Sequence, residues 1–182
     1  MKKNELREIY KAKRMGLTAA QKKCLEENIY NQIYKIDVAD IENIHIFLTL
    51  KKFQEIDTNP IIKYLRNKEK KIVASSCNFE NNTLKHFYLE YDTVLQPNKY
   101  GVPEPVNAKE VLEHKIDLVF VPLLISDIHN FRVGYGKGFY DRFLANCKPT
   151  AKFIGLNFFE PVLKIDDIHP LDISLHQVIY AK

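Results

Sequence analysis

Between Leu118 and Leu144 an apolar run, a polar loop, three closely spaced glycines and a helical pattern follow one another without interruption. The run Leu118-Val-Phe-Val-Pro-Leu-Leu-Ile125 is continuously apolar, as in a strand buried on both faces. Gly134, Gly136 and Gly138 are half of the chain's six glycines and fall at every second position. Phe139, Phe143 and Leu144 then recur at helical spacing. The block therefore reads strand, loop, glycine turn, helix, the repeating unit of an α/β fold.

The turn also carries charge: Arg132 stands before it, Lys137 within it and Asp141 after it. Glycines let backbone N–H groups approach a ligand, and a helix N-terminus adds partial positive charge. Two cations and a carboxylate around such a turn suit a nucleotide phosphate and its Mg²⁺. The spacing matches neither the dinucleotide fingerprint nor the Walker A pattern, so a purely structural turn is the competing reading. The flanking charges favour the phosphate.

A chain of 182 residues, 46% hydrophobic and 27% charged, has room for one domain with a substantial core. It holds no apolar run near the roughly 20 residues a membrane helix needs. The start, Met1-Lys-Lys-Asn-Glu-Leu-Arg7, enters a charged helical pattern with no apolar signal core, so a cytoplasmic location is expected. Cys24, Cys77 and Cys147 are too widely spaced for a zinc site and suggest reduced thiols. The net charge of +4 is spread along the chain and lacks a nucleic-acid signature. Partners are thus expected to be small molecules, with no nucleic acid, no membrane and a monomeric chain. Only five arginines accompany the 22 lysines. Arg7 and Arg14 lie in the first helical pattern, while Arg132 and Arg142 flank the glycines. Arginine's planar fork is the better phosphate clamp, so this placement points to function.

Residues 2–15 read as a helix with Lys3, Arg7, Lys11 and Arg14 on one face and Leu6, Ile9, Tyr10 and Leu17 on the adjoining one. Like charges at i,i+4 repel, so helix stability alone would not choose this stripe. Lys11 suits solvent; Lys3 and Arg7 suit an anion-binding face completed by the glycine turn. Thr18-Ala-Ala-Gln21 is a capping box opening a second helix to about residue 35. Strands are expected at 44–50, 71–77, 83–89, 118–122, 153–157 and 173–180, with a Thr58-capped helix carrying Pro60. Two prolines and a glycine make 100–105 an ordered loop, and a short helix is expected over about 107–114. Strands alternating with helices predict a three-layer α/β/α sandwich, one domain over 1–182, with a largely parallel central sheet. Ligands in such sheets bind beyond the carboxyl ends of the strands, here segments 51–57, 126–139 and 157–172.

Taken together, these residues resemble the 5-formyltetrahydrofolate cyclo-ligase (methenyltetrahydrofolate synthetase) family. The resemblance runs from Lys3-x-x-x-Arg7 through Gln54-Glu55-Ile-Asp-Thr58 and Gly101-Val-Pro-Glu-Pro105 to the 121–144 block. It closes with Ile154-Gly-Leu156 and Leu171-Asp172. It implies ATP- and Mg²⁺-dependent closure of 5-formyltetrahydrofolate, possessing a polyglutamate tail or not, to 5,10-methenyltetrahydrofolate, with ADP and phosphate released. By the same resemblance Lys3, Asn4, Glu5, Leu6 and Arg7 would contact ATP. So would Arg132, Val133, Gly134, Tyr135, Gly136, Lys137, Gly138, Phe139 and Tyr140. Glu55 and Glu104, with Tyr135 through Phe139, would border the folate. Asp141 and Asp172 would hold Mg²⁺, and Arg132, Lys137 and Tyr140 would act in catalysis.

A formamide is a poor electrophile, and phosphorylating its oxygen creates a leaving group that a neighbouring amine can displace. Positioning and charge neutralisation carry such a reaction, and no side-chain nucleophile is required. By their apolar spacing alone, Phe139 and Tyr140 also suit ordinary helix core. The chain departs from the family at Ser126, at Asn130, where glycine is usual, and at Leu171, where histidine is common. Asp166 or Asp167 is then an alternative to Asp172, and two extra residues precede Glu55. A non-catalytic nucleotide- or folate-binding module on the same scaffold is the alternative function.

Overall fold

The computed structural model describes residues 1–182. Four helices form: α1 (Lys3–Met15), α2 (Ala19–Ile33), α3 (Asn59–Asn67) and α4 (Phe139–Asn146). Eleven strands accompany them. β1 is Asn43–Ile46, β2 Lys71–Asn78, β3 Thr83–Tyr88, β4 Val94–Pro97, β5 Pro103–Val106 and β6 Glu110–Val111. β7 is Leu118–Pro122, β8 Ile125–Ser126, β9 Arg132–Val133, β10 Lys152–Asn157 and β11 Gln177–Tyr180.

One seven-stranded sheet, in the order β11-β10-β7-β1-β2-β3-β6, forms the middle layer. Its first five members run parallel, and β3 pairs antiparallel to β2. Strand alternation explains the layers. Ile44, Ile46, Leu118 and Phe120 pack with Ile29 and Ile33 of α2 and Ile61 and Leu65 of α3. Val73, Val119 and Val121, in the opposite phase, pack with Phe143 and Leu144 of α4. α1 lies apart: its Leu6 and Tyr10 pack on Leu124, Ile125 and Val133 of the β8–β9 ribbon. The three-layer α/β/α architecture is the one expected.

Thr18 caps α2 as the sequence predicts, its hydroxyl accepting from Gln21 N at 3.2 Å. Asn130 sits at φ +63°, the left-handed conformation that a polar turn residue in place of glycine must adopt.

Other expectations need correction. Residues 100–105 do not form only a loop, because 103–106 is β5, paired with β4. Alternate residues of an edge strand do not donate to the neighbour, and Pro103 and Pro105 share that phase. The short helix expected over 107–114 is instead β6 followed by a 3₁₀ turn at Glu113–Lys115. Pairing of His86 with Val111 and Phe87 with Glu110 draws this segment onto the sheet edge. The first and last strands are shorter than expected, ending at Ile46 and beginning at Gln177. Within α1, Ile9 is exposed and Arg14 is buried, so the inward row is Leu6, Tyr10 and Arg14.

Candidate active site

Beyond the carboxyl ends of the parallel strands lies a cavity of about 700 Å³, within the usual range for small-molecule sites. Its walls include Lys3 and Arg7 of α1, Glu55 from the loop after β1, and the glycine turn from Gly134 to Gly138. Phe139, Tyr140 and Asp141 of α4 complete that side together with Arg132 and Asp172. Lys11 stays outside and pairs weakly with Glu8 at 3.5 Å.

Arg7 joins helix and turn directly. Its Nε donates to Gly134 O at 2.9 Å, and its guanidinium lies flat against Gly136. A Cβ added to Gly136 would come within 3.1 Å of the Arg7 Cζ, and the residue holds φ +88°. Glycine is required here on both counts. Gly138, at φ +69°, ends the turn as the N-cap of α4, placing Asp141 in the helix's first turn. A carboxylate there is favoured by the helix dipole.

Arg132 binds the two ends of the acidic side together. Its Nη2 donates to Asp141 Oδ1 at 2.7 Å, and its Nη1 to Ile173 O at 2.5 Å. Ile173 N in turn donates to the same Asp141 oxygen at 3.2 Å. Asp172 pairs with Lys3 and also receives His169 N at 2.6 Å. Both carboxylates therefore line the cavity with a cation beside each. Asp166 instead pairs with the Met1 amino group at 2.6 Å, and Asp167 accepts Lys3 N at 2.6 Å. Those two serve the start of α1 and do not line the cavity.

Several expected contact residues support the walls rather than form them. Leu6 and Val133 are fully buried in the core beneath α1. Glu5 receives Lys2 N at 3.0 Å, and Asn4 receives a hydrogen bond from Arg7. Glu104 accepts Cys77 N at 2.7 Å and Asn98 Nδ2 at 2.8 Å, fastening the β4–β5 ribbon to β2. Lys137 is exposed along the cavity wall.

The deep end is a buried polar group that sequence reasoning only partly anticipated. Glu55 is 4% exposed; it accepts Leu50 N at 2.8 Å and the Tyr135 hydroxyl at 3.0 Å. Arg14 in turn donates to the Tyr135 oxygen. Burial raises the Glu55 pKa, while the Leu50 N–H, the Arg14 charge and Tyr135 oppose the rise. Tyr135 and Tyr140 are pushed above the ordinary tyrosine value by burial first, so both keep their protons. Arg14's part was hidden because its partners lie 109 and 121 residues away. At the mouth, Lys52 donates to Tyr100 O, and Phe79 stands between Tyr100 (4.2 Å) and Phe139 (5.4 Å between centroids).

The family model for the 5-formyltetrahydrofolate cyclo-ligase family matches residues 1–180. The chain belongs to that family. Among cyclo-ligase relatives, the Haemophilus influenzae 5-formyltetrahydrofolate cyclo-ligase is 30% identical over 152 residues, covering 80% of this chain and 79% of its own. The Mycoplasma genitalium cyclo-ligase is 26% identical over 159 residues, covering 86% and 84%. An Aquifex aeolicus 5,10-methenyltetrahydrofolate synthetase structure superposes with a TM-score of 0.82 at 24% identity, covering 99% of this chain and 90% of its own. At that identity the likeness concerns the fold. As a cyclo-ligase family member the chain is an enzyme of the ligase class. No helix in it is long and apolar enough to cross a membrane.

Proposed function

We propose that the chain closes 5-formyltetrahydrofolate to 5,10-methenyltetrahydrofolate, consuming ATP with Mg²⁺ and releasing ADP and phosphate. One observation carries the finer reading: a single cavity joins the glycine turn, the cations of α1 and the buried Glu55. Phosphate-binding groups and polar, aromatic groups meet there, as phosphoryl transfer from a nucleotide to a flat heterocycle requires.

In this reading the backbone N–H groups of Gly134 through Gly138 and the charges of Lys3, Arg7 and Lys137 hold the phosphates. Arg132 keeps Asp141 and the 172–173 backbone in place. The γ-phosphoryl group is turned in line with the formyl oxygen, which attacks phosphorus as ADP leaves. N10 then attacks the activated formyl carbon, phosphate departs with the oxygen, and N10 gives up its proton. Glu55 and Tyr135 orient the pterin's polar edge, and Tyr140, still protonated, can donate a hydrogen bond. Tyr135, Phe139, Phe79 and Tyr100 border its flat faces.

Asp141 and Asp172 would hold Mg²⁺. Both are hard oxygen donors on the cavity wall, and two carboxylates suit an ion that keeps waters and takes phosphate oxygens. When bound, the ion would offset charge on the transferring phosphoryl group.

The test is the near-ultraviolet absorbance of the methenyl product in a mixture of purified protein, 5-formyltetrahydrofolate, ATP and Mg²⁺. Product is expected only when all three small components are present. ATP binding without product would overturn the reading in favour of a non-catalytic nucleotide-binding module.

A further inference from the structure

A row of polar side chains crosses the sheet on its α4 side, from the cavity wall to the sheet edge. His45 on β1 and Ser75 on β2 both line the cavity. His45 Nε2 lies 2.7 Å from Ser75 Oγ, and that oxygen lies 2.9 Å from His86 Nδ1 on β3. Ser75 and His86 are direct cross-strand partners. Beyond them, His86 Nε2 faces the half-buried Glu113 Oε1 at 4.0 Å, just after β6. Phe143 covers both imidazoles, with ring centroids 4.9 and 4.1 Å away.

The chemistry of the row has one consistent direction. A bare His86 nitrogen facing the Glu113 carboxylate would be repelled, so His86 carries its proton on Nε2 and presents Nδ1 as an acceptor. The Ser75 hydroxyl then donates to His86, and His45 Nε2–H donates to Ser75 Oγ. Each bond hands hydrogen toward Glu113. The arrangement is costly for stability alone, since two imidazoles are withdrawn from water, and His45 Nδ1 and His86 Nε2 are both left without a hydrogen-bond partner.

We infer that Ser75 and His86 form a proton-accepting relay that removes the N10 proton during ring closure, with His45 and Glu113 holding it in register. This rests on the cyclisation proposed above. As the N10 lone pair bonds the activated formyl carbon and the C–O bond to phosphate breaks, the N10–H electrons stay on nitrogen. The proton passes to Ser75 Oγ while the serine's own proton passes to His86 Nδ1. The charge formed on His86 faces Glu113, and the His45 N–H bond supports the serine oxygen as it exchanges one proton for the other. An arylamine nitrogen with four bonds is a far stronger acid than imidazolium, so the transfer runs downhill. Burial, which holds His86 at about 4, keeps it neutral and ready near pH 7. The other titratable groups of the wall are less suited. Burial pushes the Cys77 thiol up to about 11 and raises the Tyr140 hydroxyl well above its ordinary value, while Asp141 and Asp172 face cations. Glu55 is already a hydrogen-bond acceptor for Tyr135.

The test is single-turnover formation of the methenyl product by the whole chain, in water and in heavy water. Ser75→Ala is expected to slow that step about 100-fold, the scale of general-base catalysis, with the KM for the folate unchanged. Ser75→Thr should restore most of the rate, and Glu113→Gln should lower it about tenfold. The wild-type solvent isotope effect should change in Ser75→Ala. An unchanged rate and isotope effect in Ser75→Ala would overturn the relay, as would a loss confined to KM. An inactive wild-type chain would instead overturn the cyclisation itself, so the two failures are distinguishable.

Discussion

At the scale of single residues, charges that hold the site together differ from charges left exposed to a ligand. Lys137 is exposed on the cavity wall, whereas Arg14 is buried against Tyr135 and Glu55. Lys137→Ala should therefore cut turnover about 100- to 1,000-fold, as loss of a charge-stabilising donor does, and leave the thermal midpoint nearly unmoved. A parallel fall in melting temperature and rate would remove Lys137 from the chemistry. Tyr135→Phe should do the reverse at the level of stability. It removes the hydroxyl between a buried guanidinium and a buried carboxylate, at a cost of about 1–3 kcal/mol in denaturant unfolding. Unchanged stability would mean that water or Arg14 itself replaces the hydroxyl.

At the scale of elements, the contact between α1 and the glycine turn decides whether a phosphate site exists. Gly136→Ala would force a side chain against Arg7 while φ stays positive. About 1–3 kcal/mol of strain should result, together with weaker ATP binding in a calorimetric titration. Folate affinity should change less, because Glu55, Phe79 and Tyr100 come from segments outside the turn. An equal loss for both ligands would show that the turn shapes the whole cavity. This contact was legible in the sequence: the cationic face of 2–15 and the charged glycines pointed to one another. The main strands and helices were legible too, since period-2 and period-3.6 patterns report burial directly. The β4–β5 and β8–β9 ribbons were not. They are short, β4 and β5 include prolines, and partners outside each strand's own segment decide them. The His45–Ser75–His86 row was equally hidden, because it joins residues that only the strand order brings side by side.

At the scale of the whole molecule, two buried imidazoles set the response to acid. Burial pushes His45 well below the ordinary histidine value and His86 to about 4. In the unfolded chain both protonate near pH 6.5, so below that pH the unfolded state binds more protons than the folded one. Their contribution to stability is fully present above about 6.5 and falls as the pH drops toward 4. Each imidazole can add a slope of up to about 1.4 kcal/mol per pH unit. Urea unfolding at pH 7, 6 and 5 should show a declining midpoint, and His86→Asn should flatten the decline. A midpoint constant across that range would mean that the imidazoles accept protons without unfolding the sheet.

The docking of α1 also bears on how the molecule is made. Lys3 is fastened to Asp167 and Asp172, 164 and 169 residues further along the chain. On the ribosome the first helix emerges long before its anchors exist, and the glycine turn is complete well ahead of them. The sheet's centre can pair while the nucleotide end stays open. Occupancy of that end would thus report that synthesis has passed Asp172, so binding competence arrives later than the pairing of the sheet's centre.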